Sequence, residues 1–331
     1  MSLGRRLRKL LFGISPQEAT FARRGFRRAD PDVQARLERI GRTFIQGYHA
    51  ALEVTDPQAL SDRLEEVENA WRGFAYEGAA MGLALLDFLI PGRRDRWQRF
   101  LEGPGDAHAY MLHVGVGWAA ARLPWVRRDL DAHLRRFDPL FRWLVVDGYG
   151  FHEGYFHWSR YADGRTVPKR LSGYGQRAFD QGLGRCLWFI HGADPQRIEL
   201  TIRAFPTGRH ADLFSGLGLA CTYAGGGDRA TLEQLLHIAG IWRPQLAQGA
   251  AFAAKARQRA DNAARHAETA CGVLCGMSAD AAAAITDRSL AKLPIDGTEP
   301  AFELWRREIQ AEVVGERVVT GRPGPVDPSV V

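Results

Sequence analysis

A short glycine-centred phrase recurs along the chain: FAYEGAAM at residues 74–81, HVGVGWAA at 113–120, GFHEGYFH at 150–157, DQGLGRCL at 180–187, FSGLGLAC at 214–221 and QLAQGAAF at 245–252. Aligned, the phrases put Gly78, Gly117, Gly154, Gly184, Gly218 and Gly249 in register, with successive separations of 39, 37, 30, 34 and 31. Periods of that size belong to stacked helix pairs of the tetratricopeptide kind, in which no repeat can bury its apolar face alone. The small residue stands where a partner helix crosses, because a glycine lets two backbones approach. The small and aromatic positions of a true tetratricopeptide second helix are missing after Gly184 and Gly218. The reading is therefore an all-α protein of packed helical hairpins, either an open α-solenoid or a closed helical bundle.

The helix starts outside these phrases agree. An Asp or Ser before Pro supplies an N-cap oxygen and a preset first-turn φ, and this occurs at Ser15-Pro16, Asp30-Pro31, Asp56-Pro57, Asp138-Pro139 and Asp194-Pro195. Glu18 completes a capping box with Ser15. After Asp30, residues Val33, Leu37, Ile40, Phe44 and Tyr48 form one helical stripe. No alternating strand series is evident, and Leu200–Phe205 reads as part of a helix with Ile198, Ile202 and Phe205 inward. The domain plan is a basic amphipathic N-terminal segment over 1–30, one helical-hairpin domain over 31–320, and a disordered tail, GRPGPVDPSVV, over 321–331.

The 331 residues, 46% hydrophobic and 25% charged, can form a sizeable core. Of the 44 positive residues only Lys9, Lys169, Lys255 and Lys292 are lysines, an arginine bias that points to genome composition rather than to nucleic acid. Arg5, Arg6 and Arg8, then Arg23, Arg24, Arg27 and Arg28, form a solvated basic face or a contact for a membrane surface or acidic partner. The longest apolar stretch, Ala79–Ile90, is interrupted by Gly82 and Asp87 and is shorter than a membrane span. The expectation is a cytoplasmic protein, membrane-associated at most through its basic start. Cys186, Cys221, Cys271 and Cys275 lack metal-ribbon or disulfide spacing and read as buried thiols.

The densest polar cluster is DGYGFHEGYFHWSRY, residues 147–161. On a helix Glu153 and His157 share a face one turn apart, a spacing that chelates a divalent metal or pairs a carboxylate with an imidazole. Aligning HEG with YEG places Glu77 beside Glu153, with His113 on an equivalent helix. Glu77, His113, Glu153 and His157 are thus candidate acid–base residues or metal ligands, and Arg185 could neutralise a buried glutamate. The GxG pieces lack a preceding strand and mark close helix packing rather than phosphate loops. The chain's 9 Trp, 17 Phe and 8 Tyr suit an aromatic-lined pocket for an elongated apolar ligand, with Trp118, Tyr149, Tyr155, Arg185 and Trp188 as candidate contacts.

The stretches LRKLLFGISPQEATFARRGF (7–26), FAYEGAAMGLALLD (74–87), HAYMLHVGVGWAAARLPW (108–125), VDGYGFHEGYFHW (146–158), GQRAFDQGLGRCLWF (175–189) and ADLFSGLGLACTYAGG (211–226) resemble an uncharacterised bacterial family encoded in enediyne antibiotic gene clusters, beside the iterative polyketide synthase. The resemblance runs from about residue 3 to 320. It implies a role in converting a linear polyene to the enediyne core, or in an analogous apolar-metabolite pathway, alongside other pathway proteins that include a membrane protein; it supplies no catalytic residues. The leading expectation is a polyene-modifying enzyme. A non-catalytic helical scaffold for pathway partners and an isoprenoid cyclase without an aspartate-rich motif are the alternatives. A metal or acid–base enzyme would gather the two glutamates and a histidine around a closed cavity, a scaffold would expose a concave apolar face, and a cyclase would place one acid in an otherwise apolar tunnel.

Overall fold

The computed structural model describes residues 3–90, 95–171, 173–293 and 299–319, and every regular element among them is helical. After α1 (Leu3–Phe12), the frame is a row of long helices in chain order: α2 (Pro31–Glu53), α3 (Asn69–Leu89), α4 (Ala109–Arg122), α5 (Arg142–Trp158), α6 (Tyr174–Ile190), α7 (His210–Ala224) and α8 (Arg243–Arg259). Each packs on the next. α9 (Ala279–Ala291) and α10 (Ala301–Val319) cover the far end against α8.

Paired glycines set the spacing of the row. In α4, Gly115 lies on the backbone carbonyl of Glu77 behind it, and Gly117 on that of Val145 ahead. In α6, Gly182 lies on Asp147 O and Gly184 on Leu213 O, and Gly216 and Gly218 of α7 repeat the arrangement with Gln181 and Leu246. A β-carbon at any of these sites would collide with main chain. The neighbours run parallel, since Gly78 and Gly82 of α3 meet Phe44 and Ala51 of α2, and Gly150 and Gly154 of α5 meet Phe179 and Cys186 of α6. Parallel steps need a return, supplied by shorter helices such as Pro57–Glu65, Pro195–Arg203 and Arg229–Ala239.

The structural register differs from the sequence alignment. The glycine facing the preceding helix is Gly78, Gly115, Gly148, Gly182, Gly216 and Gly249, giving separations of 37, 33, 34, 34 and 33. Gly117, Gly184 and Gly218 face forward instead, and Gly154 packs a turn further along on Cys186. Single-glycine alignment could not separate the two roles, because in GxG one glycine serves each neighbour.

The row is closed. Arg36 of α2 donates to Ala224 O at the end of α7 (2.7 Å) and contacts His266 Nδ1 (3.1 Å). Phe74 of α3 meets the edge of Tyr223 with centroids 5.1 Å apart, and Arg257 of α8 donates to Tyr223 O at 2.6 Å. The first helices of the row thus touch the last ones, which makes a closed bundle and not an open concave solenoid.

The N-terminal segment is built into the bundle rather than forming a separate unit. Ala19, Phe21 and Phe26 are buried, Tyr48 donates to Phe12 O (2.8 Å), and Trp158 Nε1 donates to Arg24 O (2.9 Å). Asp30, Asp56 and Asp194 cap their helices. Ser15 caps a single 3-10 turn, and Glu18 pairs with Arg23 and Arg24 instead of completing the capping box. Asp138 caps only a turn, with its helix starting at Arg142. Ile198, Ile202 and Phe205 are buried, as are all four cysteines. The tail over 321–331 and the side chains of Arg5 and Arg6 lie outside the described residues. Among the described residues no single helix is long and apolar enough to cross a membrane.

Candidate functional site

Helix periodicity places Phe74, Glu77 and Met81 on one face of α3. That face, with Ile40, Phe44 and Ile45 of α2, Trp118 of α4, Phe151, Tyr155 and Phe156 of α5 and Phe189 of α6, lines a narrow slot of about 50 Å³. Ile14, Glu18 and Ala19 of the N-terminal segment close its outer side. The rings meet edge-on or tilted: Trp118 lies 4.6 Å from Phe44 and 5.1 Å from Phe151 between centroids. Arg24 stands over Phe156 at 4.8 Å and is tied to Glu18, so the carboxylate at the rim is already neutralised.

Glu77 is the interior carboxyl of this slot, 1% exposed. One oxygen accepts from Trp118 Nε1 at 3.0 Å. Burial pushes its pKa up to about 7, against the attraction of Arg185 and the Trp118 hydrogen bond and with the help of the Asp147 charge. A carboxyl that exchanges its proton near neutrality, walled by carbon and π faces, is poised for general acid–base work.

The other candidates do not join it. His113 donates from Nδ1 to Ala109 O (2.7 Å) and packs edge-on against Trp97. Glu153 hydrogen-bonds its neighbour His152 at 3.1 Å; although burial opposes ionisation, that bond and the nearby His152 and His157 hold its carboxyl below the usual range. His157 is exposed at a kink where φ is −133° and ψ 36°. No three His, Cys, Asp or Glu side chains among the described residues converge as metal ligands, so the metal set of Glu77, His113, Glu153 and His157 is not assembled. Its premise, the HEG–YEG alignment, fails with the register: the residue before the backward-facing glycine is Asp147 in α5, not Glu153.

That position explains a second feature. Glu77, Asp147, Gln181, Ser215 and Gln248 each precede such a glycine and are all buried. Arg185 pairs with Asp147 at 2.5 Å rather than with a glutamate, Gln181 donates to Asp147 at 2.8 Å, and Ser215 reaches Gln181 (3.3 Å) and Gln248 (2.9 Å). Arg306 of α10 then joins Gln248 (3.2 Å) and Asp212 (2.8 Å). This polar spine pairs its charges internally but leaves Arg185 Nε, Gln248 Nε2 and one Arg306 terminal nitrogen without a hydrogen-bond partner among the described residues, whereas Glu77 at its end lines the slot.

Among the predicted ligand contacts, Trp118 and Tyr155 line the slot. Arg185 instead borders a second apolar hollow, with Tyr110, Tyr223, Phe252 and Trp305. Trp188 is wholly buried and donates to Gly225 O (2.8 Å), and Tyr149 packs on Phe179, so neither faces the slot. Phe156, one of the rings beside the polar cluster in the sequence, lines the slot as well, whereas Phe44, Phe74, Met81, Phe151 and Phe189 were missed, although the i, i+3, i+7 spacing of Phe74, Glu77 and Met81 carried the signal.

No curated protein and no solved structure matches the chain. The family model described as protein of unknown function (DUF1702) matches residues 3–313, and the chain belongs to that family.

Proposed function

We propose that this protein is an acid–base enzyme of natural-product metabolism that binds a linear, unsaturated, apolar chain in the aromatic slot and moves a proton to or from it through Glu77. One observation carries the reading: a neutral-range carboxyl, held by the Trp118 indole, is set in a slot whose wall is apolar apart from the arginine-paired Glu18 at its rim. Apolar walls and ring faces bind the chain by area burial and stabilise positive charge that develops along it. In the forward direction the Glu77 O–H proton adds to one alkene carbon, the π pair forms the C–H bond, and the cation at the other carbon, or the one formed after the next double bond attacks it to make a C–C bond, loses a proton from a neighbouring carbon, which returns charge balance and reprotonates the carboxylate. The resemblance to enediyne-cluster proteins makes a polyene the expected chain. A single unpaired acid, Glu77, in the apolar interior of the slot equally suits cyclisation of an isoprenoid chain. Since the slot is narrow, a long chain enters only as Ile14 and Phe156, half-buried at its rim, give way.

The test is carbon-bound deuterium. Wild-type protein incubated in D₂O with a linear conjugated polyene or a linear isoprenoid hydrocarbon should label one carbon, at a rate governed by a group titrating near neutrality. Folded Glu77→Gln should lose at least about a hundredfold in that rate. Equal labelling by the variant would end the proposal.

A further inference from the structure

Immediately outside the slot lies a larger, polar cleft of about 490 Å³ that shares Ile14, Glu18 and Phe156 with it. Arg122 from the end of α4, Arg127 from the short helix Pro124–Arg128, and His152 and His157 from the end of α5 line it, and the loop Gly13–Ser15 completes the wall. Glu18 is spent on Arg23 and Arg24, and Glu153 lies behind His152 as its hydrogen-bond partner. Neither Arg122 nor Arg127 has a carboxylate within ion-pair distance among the described residues. Two unneutralised guanidinium groups beside the exposed His157 imidazole exceed what one carboxylate needs, and they match the two negative charges and several acceptor oxygens of a phosphate ester.

We infer that this cleft is a head-group subsite: it takes the terminal phosphate or diphosphate of the chain whose apolar body occupies the adjoining slot. The inference rests on the reading of the slot as a chain site and adds the substrate class, an unsaturated apolar phosphate ester. Continuity of the two spaces supports it, because Phe156 and Ile14 border both and a ligand that displaces them would lie with one end in each. His157, read from sequence as a metal or acid–base candidate, acts here as an anion donor, whereas His152, kept neutral by burial with its Nδ1–H given to Glu153, only lines the wall.

Calorimetric titration with decyl phosphate, decanoate and decanol, each below its aggregation threshold, tests this. Wild-type protein should bind decyl phosphate at least about tenfold more tightly than decanoate or decanol. Arg122→Ala with Arg127→Ala should remove that advantage and leave decanol affinity unchanged, while Arg128→Ala, on the same short helix but outside the cleft, should behave as wild type. Unchanged decyl phosphate affinity in the folded double variant would show that the arginines serve only the carbonyl ends of their helices and would overturn the inference, as would tighter binding of decanoate. Glu77→Gln should bind decyl phosphate normally. Loss of labelling in that variant and loss of phosphate affinity in the arginine variants therefore succeed or fail separately.

Discussion

Glu77 shows how the protonation on which the proposed chemistry depends also couples to stability. Its carboxyl keeps its proton in the fold up to about pH 7 because burial disfavours the anion. Between the ordinary value of 4.5 and about 7 the native state holds the proton that the unfolded chain releases, so stability falls as pH rises through that window. The loss amounts to about 3 kcal/mol and does not grow further above pH 7. Chemical unfolding of wild type and Glu77→Gln at pH 4.5 and 8 isolates it, since other groups cancel in the difference: the variant should gain on wild type by about that amount at pH 8. A constant difference would mean that Glu77 is ionised throughout. The sequence nominated Glu77 only through the HEG–YEG alignment; its apolar setting, with Phe74 and Met81 at helical spacing, is a signal that alignment did not use. Its partners were not legible, because Trp118 lies on another helix and the alignment that nominated Glu153 was out of register.

At the scale of the element, the glycines that revealed the repeat also determine its tolerances. Gly182 sits on the carbonyl of Asp147, so a methyl there must push α6 away from α5 and disturb the Arg185–Asp147 pair. Gly182→Ala should cost about 3 kcal/mol or more. Gly272, inside the helix Arg265–Leu274, has no neighbour within 4 Å of an added β-carbon; Gly272→Ala should stabilise by about 0.5–1 kcal/mol through helix propensity. Melting temperatures of the two variants check both signs, and equal effects would show that glycine spacing does not set the helix approach. Sequence period was enough to read helical hairpins, since it depends on local composition. Which glycine faces which neighbour, and hence which polar residues meet in the spine, depends on the direction of packing. The misaligned Gly117 and Gly154 could not convey that.

For the molecule as a whole, what spacing could not decide is closure, which depends on residues far apart in the chain. His266 is the knot: it contacts Arg36 of α2 at 3.1 Å, Tyr223 O of α7 at 3.1 Å and Arg257 of α8 at 3.4 Å. Burial, then Arg257 and Arg36, push its pKa down to about 3, so it stays neutral in the native bundle, with Arg36 donating to Nδ1 and Nε2–H donating to Tyr223. The unfolded chain takes up that proton near 6.5, so this contribution is complete above that pH and declines as pH falls toward 3. From pH 7.5 to 5 the loss is about 2 kcal/mol. His108 and His191 are buried neutral in the same way, with values pushed to about 3 and 4, so the comparison must be with His266→Gln rather than with a neutral-pH reference alone. Urea unfolding at the two pH values should show wild type losing about that amount more than the variant. Hydrogen exchange at pH 5 should quicken first in α2 and in the end of α7, the two sides that the histidine joins. Uniform exchange across the bundle would locate its weakest closure elsewhere. A bundle that opens at this seam would also separate Tyr223 from Phe74, which lies on the same helix as Glu77, so acid opening reaches the wall of the slot.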